Sequence, residues 1–172
     1  KPMKRPDLFL VLLLVPMLVL AKAPPQAPRQ NAVASGHFLA TQAGHKILAE
    51  GGNAFDAAIA VSATLSVVEP ISSGIGGGGL FLLRQAGTGR DVMIDARETA
   101  PHSATPDKFL DAGGQLDRDK SVNGPLSAGI PGLPAALVHL ARNYGRLPLK
   151  QSLAPAIGIA RHGFQIYPRL ET

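Results

Sequence analysis

Residues 69–79 have the sequence Glu69-Pro70-Ile71-Ser72-Ser73-Gly74-Ile75-Gly76-Gly77-Gly78-Gly79, and they mark the point where the chain changes from helix to strand. Before them, Asn53 is a good N-cap for a helix from Ala54 to Val68, which Glu69-Pro70 ends. After them, the apolar run Leu80–Leu83 predicts a strand. The glycine-rich run is therefore predicted to connect a helix to a strand.

The glycine-rich run formally contains the dinucleotide-binding fingerprint G-x-G-x-x-G at Gly74, Gly76 and Gly79. That fingerprint needs a strand before the loop and a helix after it, because the helix N-terminus holds the pyrophosphate. Here the order is reversed, and no Lys-Ser or Lys-Thr pair ends the run as a P-loop requires. The glycines instead indicate a structural bend, or a backbone so close to a ligand or another segment that no Cβ fits.

The rest of the chain supplies three further helices and a second strand. They are a helix between Gly36 and Gly51, a strand over residues 91–97 that forms a hairpin with Leu80–Leu83, and helices over residues 133–144 and 150–161. Between the hairpin and the last two helices, a stretch rich in Pro, Asp and Gly is predicted to be a loop. The predicted order is α-α-β-β-loop-α-α.

Composition excludes several classes of function. Of the net charge of +5, residues 1–30 contribute +4, so the remaining 142 residues are nearly neutral. They contain no basic stripe, and the chain has no Trp and 5% aromatic residues, so nucleic-acid binding is not expected. The absence of Cys excludes a disulfide framework, a Cys-based zinc site and a thiol nucleophile.

The first residues have the pattern of a secretory leader. A basic segment, residues 1–7, precedes 13 apolar residues, Leu8–Leu20, and a small-x-small site, Ala21-Lys22-Ala23. A membrane-spanning helix needs about 20 apolar residues, so residues 1–23 are predicted to be a signal peptide and the protein to be periplasmic or secreted. An uncleaved leader that anchors the chain in a membrane is the alternative. Residues 24–34 are predicted to be a flexible Pro-rich linker.

Serines and histidines give no clear catalytic pattern. Ser72 and Ser73 lack the G-x-S-x-G elbow, so a capping role is expected for them. No metal-ligand spacing relates the five histidines, which are expected to be ordinary surface or core residues: His37, His45, His102, His139 and His162.

Several blocks, in order, cover most of residues 35–171. They are Gly51-Gly52-Asn53-Ala54-Phe55-Asp56-Ala57-Ala58, the glycine-rich run, Asp95-Ala96-Arg97-Glu98-Thr99-Ala100-Pro101, Gly129-Ile130-Pro131-Gly132, Tyr144-Gly145-Arg146-Leu147-Pro148 and Ala154-Pro155-Ala156-Ile157. Together they resemble the γ-glutamyltransferases, also called glutathione hydrolases, of the N-terminal-nucleophile class.

The resemblance implies an α+β fold, the αββα sandwich of N-terminal-nucleophile hydrolases, with only a part of it in this chain. Such proteins are precursors that cut themselves into a large and a small subunit, and a threonine at the new N-terminus of the small subunit attacks the γ-glutamyl amide. By this resemblance residues 35–172 are the N-terminal portion of the large subunit. The nucleophile then lies downstream, no catalytic residue is present, and the chain alone should be inactive. Neither an organic cofactor nor a metal is implied.

Arg97 is the one substrate-binding residue that the resemblance carries over. It matches the family's arginine that binds the α-carboxylate of the γ-glutamyl group, a role that suits a planar guanidinium. From the residues alone, an ion pair with Asp95 or Glu98 at a strand end is the alternative.

The partners implied are γ-glutamyl compounds such as glutathione and the small subunit of the same precursor. Two other hypotheses stay open. The chain could be a non-catalytic secreted binding module, or it could belong to a related acylase on the same scaffold.

Overall fold

The computed structural model describes residues 31–171. The chain from Val33 onward forms one compact unit. The predicted signal peptide and most of the predicted linker lie outside the described residues. The elements are α1 (Phe38–Ala49), α2 (Ala54–Val68), β1 (Gly79–Gln85), β2 (Arg90–Ala96), α3 (Arg118–Val122), α4 (Leu133–Asn143) and α5 (Leu149–His162). The four long helices, both strands and their order confirm the predictions.

The first two helices are each capped at the N-terminus by a side chain. The Nδ1 atom of His37 accepts a hydrogen bond of 3.2 Å from the backbone N–H of Leu39 and so caps α1. At α2, Asn53 Oδ1 accepts from the N–H groups of Phe55 and Asp56, at 2.9 and 3.1 Å. The carboxylate of Asp56 accepts in return from Asn53 N–H at 2.9 Å. This is a capping box, which satisfies backbone donors that the first turn leaves free.

The hairpin is antiparallel, with Gly79 opposite Ala96, Leu82 opposite Met93 and Gln85 opposite Arg90. Its two faces differ because side chains alternate along a strand. One face packs on the helices through Phe81, Leu83, Val92 and Ile94. The other face is exposed and carries Leu80, Leu82 and Met93.

The core lies between the hairpin and the helices, where α2 packs against α1, α4 and α5. Its fully buried large side chains include Ile59 of α2 and Leu140 of α4. A smaller cluster of Ala43, Ile47 and Ala60 joins α1 to α2. Burial of one such Leu or Ile side chain stabilises a fold by about 1.5–3 kcal/mol, so these contacts fix the helices behind the hairpin.

The stretch between β2 and α4 is more ordered than the sequence indicated. It contains the short helix α3 and the 3₁₀ turns Pro106–Phe109 and Pro125–Ser127. The carboxylate of Asp117 caps α3 by accepting from Asp119 and Lys120 N–H, at 3.0 and 3.1 Å. At five residues, α3 is too short to show an apolar periodicity.

Candidate functional site

A cleft of about 540 Å³ opens where α2, the glycine-rich run and the end of β2 meet. One wall is the face of α2 that carries Ser62, Leu65 and Ser66. Arg97 and Glu98, which directly follow β2, also line the cleft. The run from Pro70 to Gly79 lines it as well, except for Ile75 and Gly76.

The structure shows the ion pair that the sequence context of Arg97 allowed. The Arg97 Nη2 atom lies 3.3 Å from Glu98 Oε2, so the expected ion pair is present, and its partner is Glu98. Asp95 instead accepts a hydrogen bond of 3.0 Å from the backbone N–H of Arg97. The Arg97 side chain is 66% exposed. An exposed ion pair contributes little to stability, and both Arg97 and Glu98 line the cleft.

Backbone contacts hold the segment that carries Arg97. Thr99 and Ile130 exchange two backbone hydrogen bonds, of 3.2 and 2.8 Å. The first residue of α4, Leu133, donates its N–H to Gly77 O at 3.1 Å. The glycine-rich run, the strand end and the start of α4 therefore meet beside Arg97.

Ser72 and Ser73 do not have the expected capping role, because they lie in a turn that follows α2. Their backbone N–H groups donate to Glu69 O at 3.0 and 2.8 Å, and no helix among the described residues begins at either serine. The Ser72 hydroxyl oxygen accepts a hydrogen bond of 3.4 Å from Arg169 Nη2. Both serines border the cleft.

The segment after α5 supports this turn. The Tyr167 hydroxyl donates a hydrogen bond of 3.0 Å to Val68 O, at the last residue of α2. Burial, and next the neighbouring Glu69 carboxylate, raise the pKa of Tyr167, because both disfavour the phenolate. The phenol therefore remains a donor to the end of α2, beside the turn of Ser72 and Ser73.

A second cavity, of about 480 Å³, also borders Arg97. Its polar lining includes Asp95, Thr99 and His139. In residues 31–171, no group of three or more His, Asp or Glu side chains is arranged to hold a metal ion. Within the same residues, no helix combines the length and apolar character needed to span a bilayer.

Sequence reasoning identified Arg97 and the glycine-rich run, and the structure brings them to one cleft. It missed Ser62 and Ser66, which also line the cleft. The signal was present in their spacing, since two polar residues four positions apart lie on one helix face. The sequence does not show that this face of α2 lies toward the cleft.

Comparisons with known proteins show what the chain is similar to. Residues 40–172 match the family model described as Gamma-glutamyltranspeptidase. The chain is 44% identical over 140 residues to the glutathione hydrolase proenzyme of Escherichia coli K12. The match covers 81% of this chain and 24% of that protein. It is 41% identical over 152 residues to the Acylase ACY 1 proenzyme of Pseudomonas sp. V22, covering 85% of this chain and 27% of that protein.

Among solved structures, the chain is similar to the γ-glutamyltranspeptidase of Helicobacter pylori, with a TM-score of 0.78 and 40% identity. The match covers 85% of this chain and 42% of that one. The chain thus spans about a quarter of the length of the curated relatives it matches.

Proposed function

Because the chain belongs to the γ-glutamyltranspeptidase family, we propose that its protein cleaves γ-glutamyl amides, glutathione among them, through a γ-glutamyl-enzyme. The expected fold is confirmed: the described helices and hairpin form part of the mixed fold of the family's solved structures. In the proposal, residues 35–172 are the N-terminal portion of a large subunit. The nucleophilic threonine belongs to a small subunit cut from the same precursor, outside these 172 residues. The complete precursor is this chain together with the rest of the large subunit and the small subunit.

The observation that carries the proposal is the position of Arg97 on the wall of the cleft. A guanidinium presents paired N–H donors that match the two oxygens of a carboxylate. We propose that Arg97 binds the α-carboxylate of the γ-glutamyl group there. Glu98 orients the guanidinium from one side through its contact at 3.3 Å.

The proposed reaction has two acyl-transfer steps. The threonine Oγ attacks the γ-amide carbonyl carbon, and the threonine's own α-amino group accepts the Oγ proton. The C–N bond then breaks, and the leaving amine takes up that proton. Water or the amine of an amino acid or peptide attacks the resulting ester, which restores the threonine. Arg97 acts in both steps by fixing the far end of the γ-glutamyl group, so the reacting carbonyl is held in place.

Export of the protein is also part of the proposal. Its support is the leader pattern of residues 1–23, with a basic start, a short apolar run and a small-x-small site. Glutathione and related compounds outside the cytoplasm would then be its substrates.

The second candidate function is that of an acylase acting on another amide. The identity of 41% to the Acylase ACY 1 proenzyme favours it. The two functions differ in their need for a group that binds an α-carboxylate, because an acylase substrate without that carboxylate gains nothing from Arg97.

The test uses the purified complete precursor and three chromogenic p-nitroanilides: γ-glutamyl, 4-aminobutyryl and glutaryl. The 4-aminobutyryl compound lacks only the α-carboxylate, and the glutaryl compound lacks only the α-amino group. The proposal expects self-cleavage on a gel and turnover of the γ-glutamyl anilide well above both others. Turnover of the 4-aminobutyryl anilide at or above that of the γ-glutamyl anilide would favour an acylase that does not need the α-carboxylate, and no turnover of any compound would favour a binding module.

A further inference from the structure

We propose that Gly78 and Gly132 are positioning residues for Arg97, because their missing side chains leave room for the backbone that carries it. The proposal rests on the proposed function, in which Arg97 binds substrate. It assigns a role to two sequence blocks, the glycine-rich run and Gly129-Ile130-Pro131-Gly132. Neither glycine touches the substrate in this account; both act through the peptide between Ala96 and Arg97.

Gly78 lies against the end of β2. A methyl group built on Gly78 would be 2.5 Å from Ala96 O, 2.8 Å from Arg97 Cα and 3.0 Å from Arg97 C. All three are backbone atoms, so no change of side-chain rotamer can relieve the overlap. An alanine at this position must displace either the glycine-rich run or the strand end, since packed interiors leave little free space.

Gly132 approaches the same peptide from the start of α4. A methyl group there would be 2.7 Å from both Ala96 C and Arg97 O, and closer still to Ala96 O. Its backbone, with φ −90° and ψ −24°, is in the right-handed helical region that every residue can adopt. Gly132 is also the N-cap of α4, where Ser, Thr, Asn or Asp would supply an acceptor. The requirement for glycine at this position is therefore space.

Two further contacts connect the segments that surround the backbone of Arg97. Gly129 faces the residue after Arg97, because a methyl group on it would lie 3.0 Å from Glu98 Cβ. The hydrogen bond from Leu133 N–H to Gly77 O, at 3.1 Å, ties α4 to the glycine-rich run. A shift of the peptide between Ala96 and Arg97 moves the base of the arginine side chain, and so moves its guanidinium relative to the cleft.

The same run contains a matched control. A methyl group on Gly76 would meet nothing within 4 Å, and Gly76 is exposed and does not line the cleft. The glycines therefore form a graded series: Gly76 is open, Gly129 is tight against a side-chain atom, and Gly78 and Gly132 overlap with backbone.

The test replaces Gly76, Gly129, Gly78 and Gly132 by Ala, one at a time, in the complete precursor, with either Arg97 or Arg97→Ala beside them. Self-cleavage is followed on a gel, and kcat and KM are measured with γ-glutamyl-p-nitroanilide. With Arg97 present, Gly78→Ala and Gly132→Ala should lower kcat/KM by about ten- to a hundredfold, mainly through KM. Gly129→Ala should have a smaller effect of the same kind, and Gly76→Ala none.

The Arg97→Ala background shows whether the glycines act through the arginine. If they do, the same glycine substitutions cause little further loss there, because the effects of residues acting as a unit are not additive. Losses that add to that of Arg97→Ala would overturn the positioning role, as would a series in which every variant equals Gly76→Ala.

Two outcomes concern folding and the proposed function. If Gly78→Ala and Gly132→Ala do not mature, the milder Gly129→Ala decides by the same comparison. An inactive wild-type precursor would refute the proposed function. If the wild type is active and Arg97→Ala leaves KM unchanged, only the proposed role of Arg97 is refuted. In both cases the positioning role of the glycines is refuted as well.

Discussion

The carboxylate of Asp56 accepts a hydrogen bond of 2.9 Å from the backbone N–H of Arg146, 90 residues further along the chain. Asp56 is fully buried, and its other oxygen lies 3.4 Å from Leu147 N. Asn53 Nδ2 adds a bond of 2.6 Å to Tyr144 O. The start of α2 is thereby joined to the loop between α4 and α5, so one side chain serves a helix cap and a tertiary contact.

Replacing Asp56 by Ala should destabilise the protein strongly. The change leaves the N–H groups of Asn53 and Arg146, which make part-buried hydrogen bonds, without their acceptor, at a cost of up to about 1–3 kcal/mol each. Asp56→Asn keeps one oxygen and should cost less. Thermal unfolding of the complete precursor measures the difference, and an unchanged midpoint for Asp56→Ala would show that this contact does not support the fold.

Two glycine-to-alanine changes should shift stability in opposite directions. A methyl group on Gly145 would be 2.6 Å from Asp56 Oδ1 and 2.9 Å from Ala141 O, so Gly145→Ala should disrupt the same contact. A methyl group on Gly158, inside α5, would meet nothing within 4 Å. Gly158→Ala should therefore stabilise by up to about 1 kcal/mol through helix propensity. Denaturant titration of both variants gives the signs, and equal signs would contradict the expectation.

Sequence patterns predicted the long helices and the hairpin because periodicity and punctuation are local signals. The N-cap at Asn53 is an example, because its side chain accepts from N–H groups in the next turn of the chain. The partners of Asp56 in the loop before α5 could not be predicted from local pattern, since they are separated from it by 90 residues. The site follows the same rule. Arg97 became a candidate through its sequence block. The need for glycine at Gly78 and Gly132 is visible only in the structure, where the glycine-rich run and the start of α4 both approach the end of β2.

The pKa of Tyr167 gives a test of the segment after α5. Burial and the Glu69 carboxylate raise this pKa above its usual value of about 10. The stability linked to the neutral phenol is thus complete below about pH 10 and is lost as pH rises through the higher folded-state value. The difference in phenolate absorbance between wild type and Tyr167→Phe should have its midpoint above pH 10. A midpoint at or below pH 10 would contradict this environment for Tyr167.

The outer face of the hairpin should limit solubility when residues 31–172 are expressed alone. Leu82 and Met93 lie opposite each other there and are 73% and 58% exposed. Replacing the pair by Lys and Glu, as Leu82→Lys with Met93→Glu, should increase the soluble yield, because an exposed apolar patch favours association. In the complete precursor the same pair should impair self-cleavage, if the rest of the sandwich covers this face. Arg84→Lys, on the same face, is the control and should change neither result.

The role of Arg97 is tested most directly by kinetics and self-cleavage measured on the same variants of the complete precursor. Arg97→Lys keeps the charge and loses the paired donors, and Arg97→Ala loses both. The account predicts that kcat/KM for a γ-glutamyl anilide falls for Lys and further for Ala. The loss for Ala corresponds to about 1.5–3 kcal/mol, or roughly ten- to a hundredfold, while self-cleavage stays near wild type. Impaired self-cleavage with an unchanged kcat/KM in the enzyme that matures would contradict it and would leave Arg97 as the structural partner of Glu98.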